Sequence, residues 1–227
     1  MDKYSIVQVR VLHAGKGESV KILIAVPCMA TVHTEFYKSS VALRLVPGND
    51  YQYATSESSL IYDARTQLAK LACEGNFDRV LWLDSDMVFP PDLLARLNAR
   101  LDEGYDYVSA MYFTRKTPTV PVVYKEVYLE DLPDGKKLPH AIPYNDYPKD
   151  SLFEIAGSGF GAVMMNVSML QDVANSCGLP FSPRLGFGED LTFCQMAKEL
   201  GYELYCDSSI KLGHVGNKIY TEEDCKP

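Results

Sequence analysis

Residues 79–92 read RVLWLDSDMVFPPD. Arg79 leads into a short unbroken apolar run, then Asp84-Ser85-Asp86, a second apolar stretch and the pair Pro90-Pro91. An unbroken apolar run bounded by polar residues is the pattern of a strand buried on both faces, as parallel strands are. Proline is tolerated in the first turn of a helix, so PPDLLARLNARL (residues 90–101) is expected to open one. The stretch therefore reads as strand, acidic loop and helix, and it places two carboxylates at the carboxyl end of a buried strand. In open α/β sheets that end is where ligands bind.

The flanking sequence repeats the theme. Upstream, VKILIAVP (residues 20–27) is another buried strand. HTEFYKSSVALRL (residues 33–45) reads as a helix with Phe36, Val41, Leu43 and Leu45 partly on one side, and YQYAT as a short strand. Ser58 or Ser59 is placed to cap the next helix. In it Ile61, Ala64, Leu68, Leu71 and Ala72 recur at helical spacing opposite Asp63, Thr66, Gln67 and Lys70, and Gly75-Asn76 ends it. Downstream, DYVSAMYF (residues 106–113) is a strand. Residues 116–150 are rich in Pro and Tyr without a period, and are expected to form an irregular loop of the kind that often serves as a lid. Order returns over residues 153–166, with helices near 169–176 and over 190–200, and late strands at YELYC and before His214. Strand and helix alternate, which predicts an α/β fold: a Rossmann-like, mostly parallel sheet with helices on both faces, in a single domain over residues 1–227.

Composition limits the function. With 227 residues and 47% hydrophobic content the chain is long enough for one sizeable core. A net charge of −8 without a cluster of Lys and Arg argues against a nucleic-acid polymer as the main partner. Cys28, Cys73, Cys177, Cys194, Cys206 and Cys225 form no C-x-x-C pair and lie in apolar stretches, as free buried thiols do. The absence of a leader-like or membrane-spanning apolar run leads to the expectation of a soluble, cytoplasmic protein.

Asp84 and Asp86 repel each other unless a cation lies near, and hard oxygen ligands suit magnesium or manganese. Acidic residues after strands also cap helices or simply face water, so the motif alone leaves both readings open. Gly186-Phe187-Gly188-Glu189-Asp190 opens a helix with two carboxylates. The helix dipole accounts for their charge but not for the two glycines before them, so a carboxylate held as general base is the functional alternative. His214 lies between Gly213 and Gly216, a setting that makes it a candidate metal ligand, whereas His13, His33 and His140 are expected to be surface or loop residues. AGSGFGAV (residues 156–163) fits no phosphate-loop or dinucleotide fingerprint and reads as close backbone packing beside an acceptor site.

The order of these pieces resembles the GT-A-fold glycosyltransferases, particularly the inverting group called family two. Their layout is matched by IAVP, then DARTQLA, LWLDSDMVFP, GSGFGAVMM, GEDLTFCQMAKELGY and GHVG, covering about residues 21–216. The resemblance implies a transferase that takes a sugar from a UDP- or GDP-sugar and passes it to an acceptor hydroxyl with a divalent metal, Mn2+ or Mg2+. It divides the chain into a nucleotide-sugar-binding half over about 20–115 and an acceptor and catalytic half over about 150–216. By that resemblance Pro27, Arg65, Asp84 and Ser85 serve the donor. Asp86 and His214, with Asp84 beside them, hold the metal. Asp190 is the base, with Glu189 near the acceptor. Thr66 stands where the family often has asparagine. The acceptor is left open among a glycan, a small molecule, a modified base and a protein.

Three rival readings compete with this one. A haloacid-dehalogenase-like phosphohydrolase would use Asp84 and Asp86, but its motif belongs near the start of the chain and its later metal motif is missing. A non-catalytic sugar-nucleotide-binding module would not need Asp84, Asp86, Asp190 and His214 together. A sugar nucleotidyltransferase would carry a glycine-rich basic loop where CMATVHTEF stands.

Overall fold

The computed structural model describes residues 4–7 and 19–225; His13 lies outside them. From the amino end the elements are β1 (Tyr4–Val7), β2 (Lys21–Cys28), α1 (Thr34–Ala42), β3 (Asp50–Glu57), α2 (Ile61–Glu74) and β4 (Arg79–Leu83). There follow β5 (Met87–Val88), α3 (Leu93–Asp102), β6 (Tyr107–Met111), β7 (Val123–Asp131) and β8 (Lys137–Pro143). The chain closes with β9 (Leu152–Ile155), β10 (Gly157–Ser158), β11 (Ala162–Asn166), α4 (Val167–Cys177), α5 (Glu189–Glu199), β12 (Leu204–Lys211), β13 (Gly213–Val215) and β14 (Ile219–Tyr220).

The main sheet has eight strands in the order β1-β3-β2-β4-β11-β6-β12-β9. Strands β3, β2, β4, β6 and β12 share one direction, and β1, β11 and β9 run against them. The chain leaves β2, returns beside it as β3, then crosses to the other side as β4. The carboxyl ends of β2 and β4 thus flank a point where the strand order reverses, which is where such sheets open a crevice.

Alternation along the strands divides the core into two layers. From β2, Leu23 and Ala25 face one way, and Ile22, Ile24 and Val26 the other; from β4, Val80 and Trp82 oppose Leu81 and Leu83. The first face is covered by α2, α4 and α5 through Leu68, Ala72, Leu170, Val173, Phe193 and Ala197. The second is covered by α1 and α3 through Phe36, Leu93, Leu94, Leu97 and Leu101. Each such side chain taken fully from water contributes about 1.5–3 kcal/mol, so helices on both faces follow from strands that are apolar on both faces.

Several local expectations need correction. Leu60, not Ser58 or Ser59, is the N-cap of α2, and no side chain caps it; the Ser58 hydroxyl instead accepts the Leu60 N–H at 3.1 Å. The first helix stops at Ala42, because Leu43 is already extended and the Arg44 N–H turns to the Pro91 carbonyl at 2.8 Å. Pro90 and Pro91 precede α3 in a turn rather than forming its first residues. The largest difference is in residues 116–150, where β7 and β8 pair antiparallel from Tyr124↔Pro143 to Asp131↔Lys137. Only Val123 of this ribbon is buried and its other side chains are half-buried or exposed, so it shows little of the apolar alternation of a strand with one covered face.

The six cysteines are free. Among the described residues no helix is long and apolar enough to cross a membrane.

Candidate active site

A crevice of about 430 Å3 opens at the carboxyl ends of β2, β3 and β4. Pro27, Cys28 and Met29 come from the end of β2, Ser58 and Ser59 from the end of β3, and Asp84, Ser85 and Asp86 from the loop after β4. His33, an exposed loop residue as expected, lines it too, and so does Arg115 from the loop after β6, which carried no sequence signal.

Beneath the crevice lies an ion-pair cluster. Arg65 projects from α2 and is only 3% exposed. Its Nη2 donates to Asp84 Oδ1 at 2.6 Å, and its Nη1 pairs with Glu189 Oε1. The guanidinium also lies over the Phe160 ring, 5.3 Å from its centre. Burial alone would lower the Arg65 pKa, but Asp84, Glu189 and Asp190 hold it above its ordinary value. Arg65 ties the end of β4 to the start of α5 and is not among the residues that line the crevice. It gives Asp84 an arginine partner.

Asp190 is the second residue of α5, whose N-cap is Gly188. Its Oδ1 accepts the Leu191 N–H at 2.7 Å. Burial pushes the Asp190 carboxyl up; Arg65 opposes this, Glu189 and Asp84 add to it, and the result is a pKa of about 6. A carboxylate so poised is mostly ionised at neutral pH yet a stronger base than an ordinary aspartate. The double glycine now has a reason. Gly186 has φ +87°, in the left-handed region, and a Cβ on Gly188 would stand 2.9 Å from Asp190 Oδ1.

Asp86 and His214 meet because a small sheet puts them together. Strand β5 begins directly after Asp86 and pairs with β13, setting His214 opposite Met87, and the Val215 N–H donates to the Asp86 carbonyl at 2.8 Å. His214 Nε2 then lies 3.4 Å from Asp86 Oδ2. His214 Nδ1 is 2.8 Å from the Phe113 carbonyl, which only accepts, so Nδ1 carries a proton. One imidazole nitrogen and one carboxylate oxygen thus face each other. Arg115 Nη1 reaches the same Asp86 oxygen at 2.7 Å. Burial works to raise the Asp86 pKa, but His214, Arg115 and His33 outweigh it and hold the carboxyl below its ordinary value.

These donors fit a divalent ion in part. A carboxylate oxygen suits Mn2+ or Mg2+, whereas an imidazole nitrogen suits Mn2+ better than the harder Mg2+, and the pair supplies two ligands. Among the described residues no three His, Cys, Asp or Glu side chains are grouped as a metal site.

Tyr112 joins the two clusters and was not singled out in the sequence. It is 4% exposed and meets His214 edge-on at 5.5 Å. It also accepts the Gly161 N–H on its hydroxyl at 3.2 Å, while the Gly161 carbonyl accepts the Asp84 N–H at 3.0 Å. The glycine-rich segment is thus close backbone packing, where a Cβ on Gly159 would fall 2.0 Å from the Tyr112 hydroxyl.

No protein-family model matches the sequence, and no curated protein is significantly similar to it. Solved structures do match. A197 from STIV superposes with a TM-score of 0.62 at 19% identity, over 87% of this chain and 86% of that one. Residues 1–349 of TarS from S. aureus superpose with a TM-score of 0.50 at 16% identity, over 83% of this chain and 58% of that one. At these identities the likeness shows the fold alone: a mixed α/β domain with helices on both faces of a mostly parallel sheet. It does not single out family two.

Proposed function

We propose that the chain is a glycosyltransferase that moves a sugar from a nucleoside diphosphate to an acceptor hydroxyl with a divalent cation. The observation that carries this reading is the meeting of Asp86, which lines the crevice, with His214 at 3.4 Å. A cation held by Asp86 and His214 would neutralise charge on the leaving diphosphate as a Lewis acid. Pro27 and Ser85 line the crevice and serve the nucleoside diphosphate, and Asp84 meets the sugar or ribose. Asp190 takes the proton from the acceptor hydroxyl. The hydroxyl oxygen bonds to the anomeric carbon as the bond from that carbon to the diphosphate oxygen breaks. Attack from the face opposite the leaving group inverts the anomeric configuration. Glu189, paired to Arg65, sets the orientation of the α5 start, and so acts by positioning.

No observation favours the phosphohydrolase reading. Asp84, its nucleophile, has Oδ1 committed to a buried arginine.

Calorimetric titration with UDP- and GDP-sugars, with and without Mn2+, tests the proposal. Binding is expected to require Mn2+ and to vanish in Asp86→Ala. Binding that is indifferent to both would refute the metal-dependent donor site.

A further inference from the structure

Resting on the reading just given, we infer that Arg115 competes with a divalent ion for Asp86 and moves onto the diphosphate when the ion takes that carboxylate. Three observations lead here. First, Arg115 Nη1 and His214 Nε2 both address Asp86 Oδ2, at 2.7 and 3.4 Å, so one oxygen serves two cationic partners. A metal ion on that oxygen competes with the guanidinium for it, because the two positive charges repel at that distance. Second, among the described residues Arg115 is the only Arg or Lys that lines the crevice, so it is the permanent side-chain cation placed to meet a diphosphate there. Third, the arginine is free to move. Its side chain is 47% exposed, and it lies across Gly216, where a Cβ would come within 3.3 Å of its Cδ. Its remaining hydrogen bond is a long one, 3.4 Å to the Val215 carbonyl. An ion pair this exposed is weak and exchanges readily for a charge-assisted bond to phosphate.

The exchange has a functional consequence. Without donor and metal, Arg115 neutralises Asp86 and keeps it in place beside His214. With both present, it adds a second positive charge on the diphosphate, which helps that group to leave. Arg115 is thus a positioning residue in one state and a ligand-binding residue in the other.

Two titrations of wild type, Arg115→Met and Arg115→Lys test this, with folding checked by circular dichroism. The first uses Mn2+ alone. The second uses pyrophosphate at saturating Mn2+, a probe that carries the diphosphate and no base. Arg115→Met is expected to bind Mn2+ several-fold tighter, because its competitor is gone, and to bind Mn2+-pyrophosphate roughly tenfold weaker, because a charge-assisted contact is lost. Arg115→Lys, which keeps the charge, is expected to fall close to wild type in both. A merely structural arginine would not move the two affinities in opposite directions. If both affinities fall together, or neither moves, the exchange is overturned. If wild type binds Mn2+ but not Mn2+-pyrophosphate, the metal pair stands and Arg115 has no diphosphate role. If wild type binds no Mn2+, the metal-dependent reading itself fails, and the exchange with it.

Discussion

Arg65 Nη2 stands 2.6 Å from Asp84 Oδ1 with the arginine side chain only 3% exposed. The same guanidinium pairs with Glu189, so one buried cation connects the end of β4 to the start of α5. Breaking a buried ion pair leaves a carboxylate without compensation, which costs about 3–5 kcal/mol. Arg65→Met is therefore expected to lower unfolding free energy by about that amount in urea denaturation, and Glu189→Gln in the same background to return part of it. A loss below about 1 kcal/mol would mean that the cluster contributes no more than a surface pair.

Gly159 tests the packing around Tyr112. An added Cβ would meet the Tyr112 hydroxyl at 2.0 Å, and that hydroxyl accepts the N–H of Gly161, whose carbonyl in turn receives the Asp84 N–H. Overpacking of this kind costs about 1–3 kcal/mol. Gly159→Ala is expected to lower the melting temperature accordingly, and Tyr112→Phe in the same chain to recover part of the loss by removing the clashing oxygen. Full tolerance of the alanine would contradict the geometry.

Asp190 gives two pH dependences. As general base it must be ionised, so kcat/KM is expected to rise with pH through an apparent pKa near the value of about 6 that burial imposes. Stability runs the other way. The folded carboxyl holds its proton up to about 6, while the unfolded one releases it near 3.8, so the native state binds more protons in that window and loses stability as pH rises through it. Asp190→Asn is accordingly expected to be more stable than wild type above about pH 6, by on the order of 1–3 kcal/mol, with the difference vanishing below about pH 4. Thermal melts across this range check it; a destabilised variant at pH 7 would contradict the burial argument.

Much of this site was legible because its residues stand at the ends of strongly patterned elements. Asp84 and Asp86 follow the apolar run of β4, Glu189 and Asp190 open α5, and His214 falls between glycines. Their proximity was less legible, because it depends on β13 finding β5, two strands too short to carry a pattern. Arg65 was visible as a helix residue but not as a buried one, since its partners lie 19 and 124 residues away. Arg115 sits in a segment without period, His33 only heads a helix whose apolar side does not include it, and Tyr112 looked like any aromatic near a strand end. The β7–β8 ribbon escaped because little of it is buried, so its apolar alternation is weak.

The central claim is that Asp190 deprotonates an acceptor at a crevice that binds its donor without Asp190's help. The most direct measurement compares wild type with Asp190→Asn, using a Mn2+-saturated donor, for donor affinity by calorimetry and for the rate of nucleoside diphosphate release. The account predicts unchanged affinity with release slowed by about 100-fold or more. Release at the wild-type rate, or loss of donor binding, would contradict it.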